Sequence, residues 1–111
     1  MINAVQVNVN ERPKVISIED DLDEYQRIVG GFIDFIQIDD DEDVNVIIND
    51  EGKLMGLDIN KLIYHNNDLI DVLVGNLLVV GVDNLTGNVV DLPKEKIDYY
   101  MNYFDSPYIR I

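Results

Sequence analysis

The spacing of apolar residues changes several times along this chain, and each change predicts a different element. Val5, Val7 and Val9 alternate with polar residues, which is the period-two pattern of a half-buried strand. Lys14–Ile18 predicts a second strand. We expect these two strands to form a hairpin across a turn at residues 10–13.

A short helix is expected after the hairpin. Leu22, Tyr25, Ile28 and Val29 recur at helical spacing behind a run of acids, and acids are favourable at a helix N-terminus. The double glycine Gly30–Gly31 ends this helix and reverses the chain. Because it follows a helix and does not precede one, it is not expected to bind a phosphate.

The middle of the chain predicts two strands and one helical turn. Phe32–Ile38 carries apolar residues on both faces and is therefore expected to be a central or nearly central strand. Val44–Ile48 predicts the next strand, with an acidic loop between the two. Within Lys53–Tyr64, Asp58 is predicted to cap a single helical turn. The apolar residues of that turn are Ile59, Leu62 and Ile63.

The C-terminal third predicts three strands and a helix. The strands are Leu69–Val74, Leu77–Val82, which should be buried, and Val89–Val90; the helix begins at Pro93. Since strands and helices do not alternate regularly, the expected class is α+β. We expect a single domain over residues 1–111, with a mixed or mainly antiparallel sheet, two helices and one short helical turn. The last helix has an apolar stripe of Ile97, Tyr100, Met101 and Phe104.

Composition argues against several classes of protein. The longest apolar run, Leu77–Val82, is far shorter than the roughly 18 residues needed to cross a bilayer. The N-terminus lacks the basic segment and apolar stretch of a signal peptide, and the chain has no cysteine. We therefore expect a cytoplasmic protein that does not bind membranes.

Acidic residues dominate the charge of the chain. It has 22 Asp and Glu against 8 Lys and Arg, a net charge of -14, and Arg27 is the only base among the thirteen acids between Glu19 and Glu51. Binding to nucleic-acid phosphates or to anionic lipids requires a basic surface. The sequence therefore predicts no direct nucleic-acid binding and favours a basic protein partner.

Few groups suit catalysis or metal binding. The chain has one histidine, His65, and two serines, none of them in a nucleophile motif. The acidic run from Asp39 is not an EF-hand, because its sixth and twelfth positions hold Val44 and Asp50 where glycine and glutamate are needed. A pair of carboxylates acting as acid and base stays open, although no acid is singled out. The sequence thus predicts no enzyme, no cofactor and no metal.

Three tyrosines near the C-terminus are secondary candidates for partner contacts. Tyr99 and Tyr103 lie off the apolar stripe of the last predicted helix, and Tyr108 follows that helix. Exposed tyrosines are common at protein interfaces because the ring supplies contact area and the hydroxyl a hydrogen bond. The alternative is that these rings pack against the sheet.

The middle of the chain, from about residue 22 to residue 83, carries a family resemblance. Most of it lies in the double glycine after a short helix and in the turn Asn49–Lys53. Further matching segments are Tyr25–Ile33, Val46–Leu54, Gly56–Leu57 with Asn60, Ile70–Gly75 and Leu78–Gly81. In these residues the chain resembles DUF3846, an uncharacterised family of small proteins of phages, plasmids and other mobile elements. The resemblance implies such an origin and assigns no catalytic residue.

The predicted function is binding to a basic partner. By analogy with anti-restriction and anti-CRISPR proteins, we expect an acidic face that occupies the basic surface of a host nucleic-acid-binding or defence protein. Two alternatives remain: the charge serves only solubility, or a groove near Gly30–Gly31 and Gly75 binds a small ligand or nucleotide. A homo-oligomer is left open. The predicted acidic face consists of Asp20, Asp21, Asp23, Glu24, Asp39, Asp40, Asp41, Glu42 and Asp43.

Overall fold

Two helices and nine strands make up the chain, and the computed structural model describes all residues from 1 to 111. The helices are α1 (Leu22–Val29) and α2 (Lys94–Tyr103). Neither is long and apolar enough to cross a lipid bilayer. The strands are β1 (Ile2–Val7), β2 (Lys14–Ile18), β3 (Ile33–Ile36), β4 (Val44–Asn49), β5 (Ile59–His65), β6 (Asp68–Val74), β7 (Leu77–Val82), β8 (Val89–Val90) and β9 (Tyr108–Arg110).

The nine strands form two sheets. The larger has the order β2-β1-β7-β4-β3, with β8 beside the end of β7, and all of its pairings are antiparallel. The smaller has the order β6-β5-β9, in which β5 runs antiparallel to β6 and parallel to β9. The α+β class and the mainly antiparallel pairing are therefore confirmed, although two sheets are present where one was predicted.

The central strand of the larger sheet, β7, is buried on both faces. Leu77 and Val79 belong to the core cluster on one face, whereas Leu78 and Val80 belong to the cluster on the other. Helix α1 covers the second face, and α2 together with the smaller sheet covers the first. The unbroken apolar run of β7 follows from this position between two layers.

Helix α1 begins and ends at residues suited to those positions. The Asp21 side chain accepts a hydrogen bond from the Glu24 N–H at 2.8 Å, which caps the N-terminus. Gly30 takes a left-handed φ of 83°, and its N–H bonds to the Gln26 carbonyl at 2.8 Å. The prediction of a short helix that ends at the double glycine is confirmed.

The prediction that Phe32–Ile38 forms a central or nearly central strand is wrong. Only Ile33–Ile36 is a strand, and it lies at the edge of the larger sheet beside β4. Ile33 packs with the cluster under α1, and Ile36 packs with the cluster under the smaller sheet. Apolar residues on both faces thus indicate that both faces are covered; they do not indicate that both edges are paired.

The helical turn predicted at Asp58 is also wrong. Ile59–His65 forms β5, which pairs with β6 on one side and with β9 on the other, so the segment is held by neighbouring strands. Lys61, at an inward position of this strand, is 5% exposed. A lysine where an apolar residue is expected interrupts the alternation that would have indicated a strand.

The two sheets are joined by a buried core and by one polar side chain. Phe104, which is fully buried, belongs to the cluster that the two sheets and α2 share. The Asn60 side-chain amide donates to the Val7 carbonyl and to the Gly75 carbonyl, both at 2.8 Å. The smaller sheet is therefore fixed against the larger one.

Candidate functional site

One end of the larger sheet gathers loops from distant parts of the sequence. The pairing places the starts of β1 and β4 and the ends of β2, β3 and β7 at this end. The Val82 N–H also bonds to the Asp43 carbonyl at 2.8 Å, which links the end of β7 to the loop before β4. Side chains of these loops are therefore neighbours although they are far apart in sequence.

Eleven carboxylates lie in these loops, and we call this region the acidic end. Four lie between β2 and the first turn of α1, without counting Glu24 of that turn because it pairs with Arg27; five form the β3–β4 loop, one follows β7 and one follows β8. They are Glu19, Asp20, Asp21, Asp23, Asp39, Asp40, Asp41, Glu42, Asp43, Asp83 and Asp91.

The two acidic segments do not form the single face that was predicted. The first leads into α1, which packs on one face of the sheet, whereas the β3–β4 loop, Asp39–Asp43, contacts α2 on the opposite face. We call this loop the acidic loop. Strands β2 and β3, which lead into the two segments, are four strand spacings apart, or roughly 19 Å. The carboxylates therefore form a band across the end of the sheet.

Helix α2 holds the acidic loop in place. The Tyr99 hydroxyl donates a hydrogen bond to the Asp39 carboxylate at 3.0 Å. The Lys96 ammonium donates to the carboxylate of Asp41, which also accepts the Asp43 N–H at 3.0 Å. Two side chains of one helix thus fix a loop whose carboxylates repel each other.

Asp41 is held in its ionised form by these contacts. Its side chain is 16% exposed, and burial acts to raise its pKa. The hydrogen bond and charge of Lys96, together with the Asp43 N–H, outweigh that effect, so the pKa of Asp41 lies below its usual value. The hydrogen bond that Lys96 donates to Asp41 in turn raises the pKa of Lys96.

Replacing Lys96 with methionine is expected to raise the pKa of Asp41, because the hydrogen bond and charge of Lys96 no longer oppose the effect of burial and only weaker hydrogen bonds such as that of the Asp43 N–H remain. In the native protein the lowered pKa means that ionised Asp41 stabilises the fold above its unfolded-state pKa of about 3.8. That contribution is lost as the pH falls through the lower, folded-state pKa. The stability of Lys96→Met should therefore decrease less over this pH range than that of the wild type. An NMR titration of the Asp41 carboxyl carbon measures the shift.

Lys94→Met is the matched control, since it removes an exposed lysine of the same helix that pairs with Asp98. It should leave the titration of Asp41 unchanged. The same Asp41 titration in wild type and in Lys96→Met would contradict the assigned role of Lys96.

The acids before α1 serve partly in the fold. Asp21 caps the helix, and Asp20 accepts a hydrogen bond from the buried Tyr25 hydroxyl. Burial, together with the nearby charge of Asp20, raises the pKa of Tyr25, so this hydroxyl remains a donor. Asp23 is exposed on the first turn and makes no side-chain hydrogen bond. All three carboxylates therefore stay at the surface while two of them support local structure.

Seven of the eight Lys and Arg side chains are buried or form ion pairs, and the eighth, Arg110, forms no ion pair with an acid. Lys61 is buried, and Arg110 lies over the Tyr64 ring at 5.3 Å from its centroid. The other six form ion pairs, so Glu24, predicted as part of the acidic face, is neutralised by Arg27. Within the acidic end only Asp41 has such a partner. The pairs are Arg12–Asp105, Lys14–Glu11, Arg27–Glu24, Lys53–Asp71, Lys94–Asp98 and Lys96–Asp41.

The three tyrosines predicted as secondary interface residues are not brought together. Tyr99 and Tyr103 stack on α2 with ring centroids 5.8 Å apart, close to the acidic loop. Tyr99 is exposed, whereas the Tyr103 hydroxyl is buried, and burial raises the pKa of Tyr103 to about 12. Tyr108 lies on β9 and contacts the Tyr64 ring edge to face. Tyr99 alone offers an exposed ring at the acidic end.

The groove predicted near Gly30, Gly31 and Gly75 is not formed by these residues together. Gly30 and Gly31 line an open depression of about 300 Å³, which Gly75 does not reach. Asn49 also lines it, but its side chain already bonds to the Val29 carbonyl and to the Glu51 N–H. The buried polar group of this depression is thus engaged within the protein.

His65 lies at the exposed end of β5. Its Nδ1 is 2.8 Å from the Ile111 carbonyl oxygen, and its Nε2 is 3.3 Å from the Asn66 amide nitrogen. No group of three or more His, Cys, Asp or Glu side chains is arranged to hold a metal ion. The contacts of His65 thus join the end of β5 to the C-terminal residue.

Residues at the acidic end that lie outside the predicted site include Glu19, Asp83, Asp91, Asn84 and Lys96. Lys96 pairs with Asp41, the Asn84 amide donates to Asp43 at 2.5 Å, and Asp91 accepts the Asn3 N–H at 2.7 Å. A run of acids does indicate that cations or donors lie nearby. Lys96 and Asn84, however, lie 55 and 41 positions from their partners, and no spacing in the sequence connects them.

Comparison with known proteins places the chain in a family. The family model described as a domain of unknown function (DUF3846) matches residues 2–105, so the chain belongs to this family. Neither a curated protein nor a solved structure matches it. The match extends beyond the segment in which the sequence showed the resemblance, to the N-terminal hairpin and to α2.

Proposed function

We propose that this DUF3846 member is a non-enzymatic binding protein whose acidic end occupies the basic surface of a nucleic-acid-binding protein. The observation that carries the proposal is the band of eleven carboxylates across one end of the larger sheet, of which only Asp41 pairs with a base. Such a band attracts a basic surface and raises the association rate.

The charge density of the band resembles that of a nucleic acid. DNA carries one charge per roughly 1.7 Å of its axis, so a duplex of roughly 19 Å carries about eleven charges. The acidic end has ten carboxylates without a basic partner, and the strands that lead into its two main segments are roughly 19 Å apart. A cationic groove built for phosphates would therefore meet a comparable number of negative charges.

The setting we propose is the cytoplasm of a bacterium that carries a phage or another mobile element. In that setting the targets are host proteins that bind or cleave nucleic acid, and occupying their basic surfaces would inhibit them. Restriction and CRISPR proteins are targets of this kind.

Neutralising the four carboxylates of the acidic loop that have no basic partner is expected to weaken partner capture about tenfold or more. In the test, a bacterial extract is passed over the immobilised protein, and the bound proteins are eluted with increasing salt and identified. Duplex DNA is then added as a competitor for the captured proteins. Capture by the wild type should fall steeply between about 50 and about 200 mM salt, because charge drives it. The test variant is Asp39→Asn, Asp40→Asn, Glu42→Gln and Asp43→Asn.

The control removes the same number of charges elsewhere. It uses four exposed acids without ion pairs, so both variants carry a net charge of -10 where the wild type carries -14. If both variants lost capture equally, the net charge of the protein and not the acidic loop would be responsible. Capture that does not change with salt concentration would also contradict the proposal. The control variant is Asp34→Asn, Glu51→Gln, Asp58→Asn and Asp68→Asn.

A further inference from the structure

A groove runs along β6 where the smaller sheet meets the edge of the larger one. Two cavities of about 230 Å³ each lie in it, one toward the end of β4 and one toward the acidic loop. Both are lined by Ile36, Asp71 and Leu73, so they are adjacent but separate. The apolar residues that define this β6 groove are Ile36, Ile38, Ile48, Ile63, Ile70 and Leu73.

An irregularity in the strand pairing exposes part of the groove. The register of β5 and β6 passes from Ile63 opposite Asp71 to Tyr64 opposite Leu69, so Ile70 has no partner on β5. A bulge of this kind redirects a side chain. Ile70 is 53% exposed although it lines the cavity, and it leaves an apolar surface open to a partner.

The size of the cavities indicates what fits them. Sites for small molecules usually measure about 300–1,000 Å³. Each cavity in the β6 groove is smaller than that, and apolar side chains dominate the lining of both. Individual bulky apolar side chains of a partner therefore suit the groove better than a free ligand does.

Charge defines the partner further. The groove ends at Ile38, directly before Asp39 and the acidic loop, and Asp50 lines its other end. The only cation in its lining, Lys53, is already paired with Asp71 at 2.6 Å. A partner segment that enters the groove therefore meets uncompensated carboxylates at both ends, which favours Lys and Arg beside its apolar residues.

Strands β3 and β6 each have one unpaired edge, but these edges do not favour a partner that adds a strand to the sheet. On β3 the Asp34 carboxylate accepts the Phe35 N–H at 2.9 Å, and on β6 the Asp71 carboxylate accepts the Val72 N–H at 2.7 Å. These amides are therefore occupied and do not offer the donors that an added strand requires.

We propose that the β6 groove and the acidic loop form one docking surface for a partner segment in which two or three bulky apolar residues adjoin a Lys/Arg cluster. This inference rests on the proposed function and names the part of the partner that is recognised. The acidic loop attracts the segment, and the groove selects it among other basic sequences.

Three synthetic peptides test the surface on the intact protein by ¹⁵N NMR. The mixed peptide has Leu and Phe residues beside a Lys/Arg cluster, the basic peptide has Ser and Gly in place of the apolar residues, and the apolar peptide has Gln in place of the basic ones. The mixed peptide should bind about tenfold or more tightly than the basic one, since burial of a large apolar side chain contributes at least that factor. It should shift amide signals of β6 and of the acidic loop, whereas the basic peptide should shift only the loop.

Two matched variants locate the apolar contact. Ile70→Asp should reduce affinity for the mixed peptide to that of the basic peptide. Leu69→Asp should not, because Leu69 is the adjacent residue, is 54% exposed and lines neither cavity. Both side chains are half exposed, so neither variant should unfold, and the comparison of peptides on the wild type needs no variant.

The outcomes separate the two proposals. If the basic peptide binds the acidic loop and the apolar residues add no affinity, or if the two variants bind the mixed peptide equally, the groove inference is wrong and the proposed function stands. If neither the basic nor the mixed peptide shifts the acidic loop, both are wrong.

Discussion

Replacing Phe104 with alanine is expected to lower the free energy of unfolding by about 3–5 kcal/mol. Phe104 is fully buried where α2 ends, and its ring contacts Tyr103 edge to face at 5.0 Å between centroids. It belongs to the cluster that α2 and both sheets share, so its removal leaves a cavity at the junction of three elements. Domains of this size are stable by about 5–15 kcal/mol, and the loss would therefore be a large part of the total.

Equilibrium unfolding in urea measures this loss as a lower midpoint at an unchanged denaturant dependence. Phe32→Ala is the control, because Phe32 is 67% exposed and the same change there should stay within about 0.5 kcal/mol. A loss below about 1 kcal/mol in Phe104→Ala would mean that the two sheets are not joined through this ring.

Elements with strong local patterns were predicted correctly. The alternation in β1, the apolar run of β7 and the helical spacing that ends at Gly30 each follow from contacts within a few residues or from burial on a defined face. Such patterns do not reveal neighbours in the sheet. The apolar residues on both faces of the segment that contains β3 predict a central or nearly central strand, whereas β3 lies at the edge of the sheet with its outer edge unpaired.

The smaller sheet was not predicted, because the segment of β5 has the spacing of a helical turn and its second partner, β9, is distant in sequence. Residues 108–110 form β9 beside β5 and make the only parallel pair, and three residues carry too little pattern to indicate a strand. In β5, Lys61 takes an inward position, and the spacing of Ile59, Leu62 and Ile63 then suggests a helical turn. Only contact with β6 and β9 makes this segment a strand.

The sequence shows where most of the acids of the candidate site lie along the chain, and it does not show how they are arranged in space. Runs of Asp and Glu are visible in the sequence because they cannot be buried without partners. Their arrangement depends on the order of strands in the larger sheet, which brings the two segments to one end and places them on opposite faces. Lys96 has no local signal in the sequence, and the position of Tyr99 off the apolar stripe of α2 does not indicate that it bonds to Asp39; both contacts depend on how α2 packs.

Gly81→Ala is expected to destabilise the protein by about 3 kcal/mol, the upper part of the range for overpacking. A Cβ atom at Gly81 would lie 2.4 Å from the Asp91 carbonyl oxygen and 3.0 Å from that of Val90, and backbone atoms cannot turn aside as a side chain can. Strand β8 must then move away from β7. That movement would displace Asp91, whose carboxylate accepts the Asn3 N–H at the acidic end.

Gly87→Ala separates this steric effect from a conformational one. Gly87 has a φ of 76°, but a Cβ atom there would meet no other atom within 4 Å, so alanine should cost only about 1–2 kcal/mol through its left-handed backbone. Urea unfolding measures the stability of the two variants. NMR should show shifted amide signals of Asn3 and Leu92 in Gly81→Ala alone, because these amides form hydrogen bonds between β1 and the segment after β8. If Gly81→Ala were as stable as the wild type with both signals unmoved, β8 would not pack against β7 as described, and Asp91 would not belong to the acidic end.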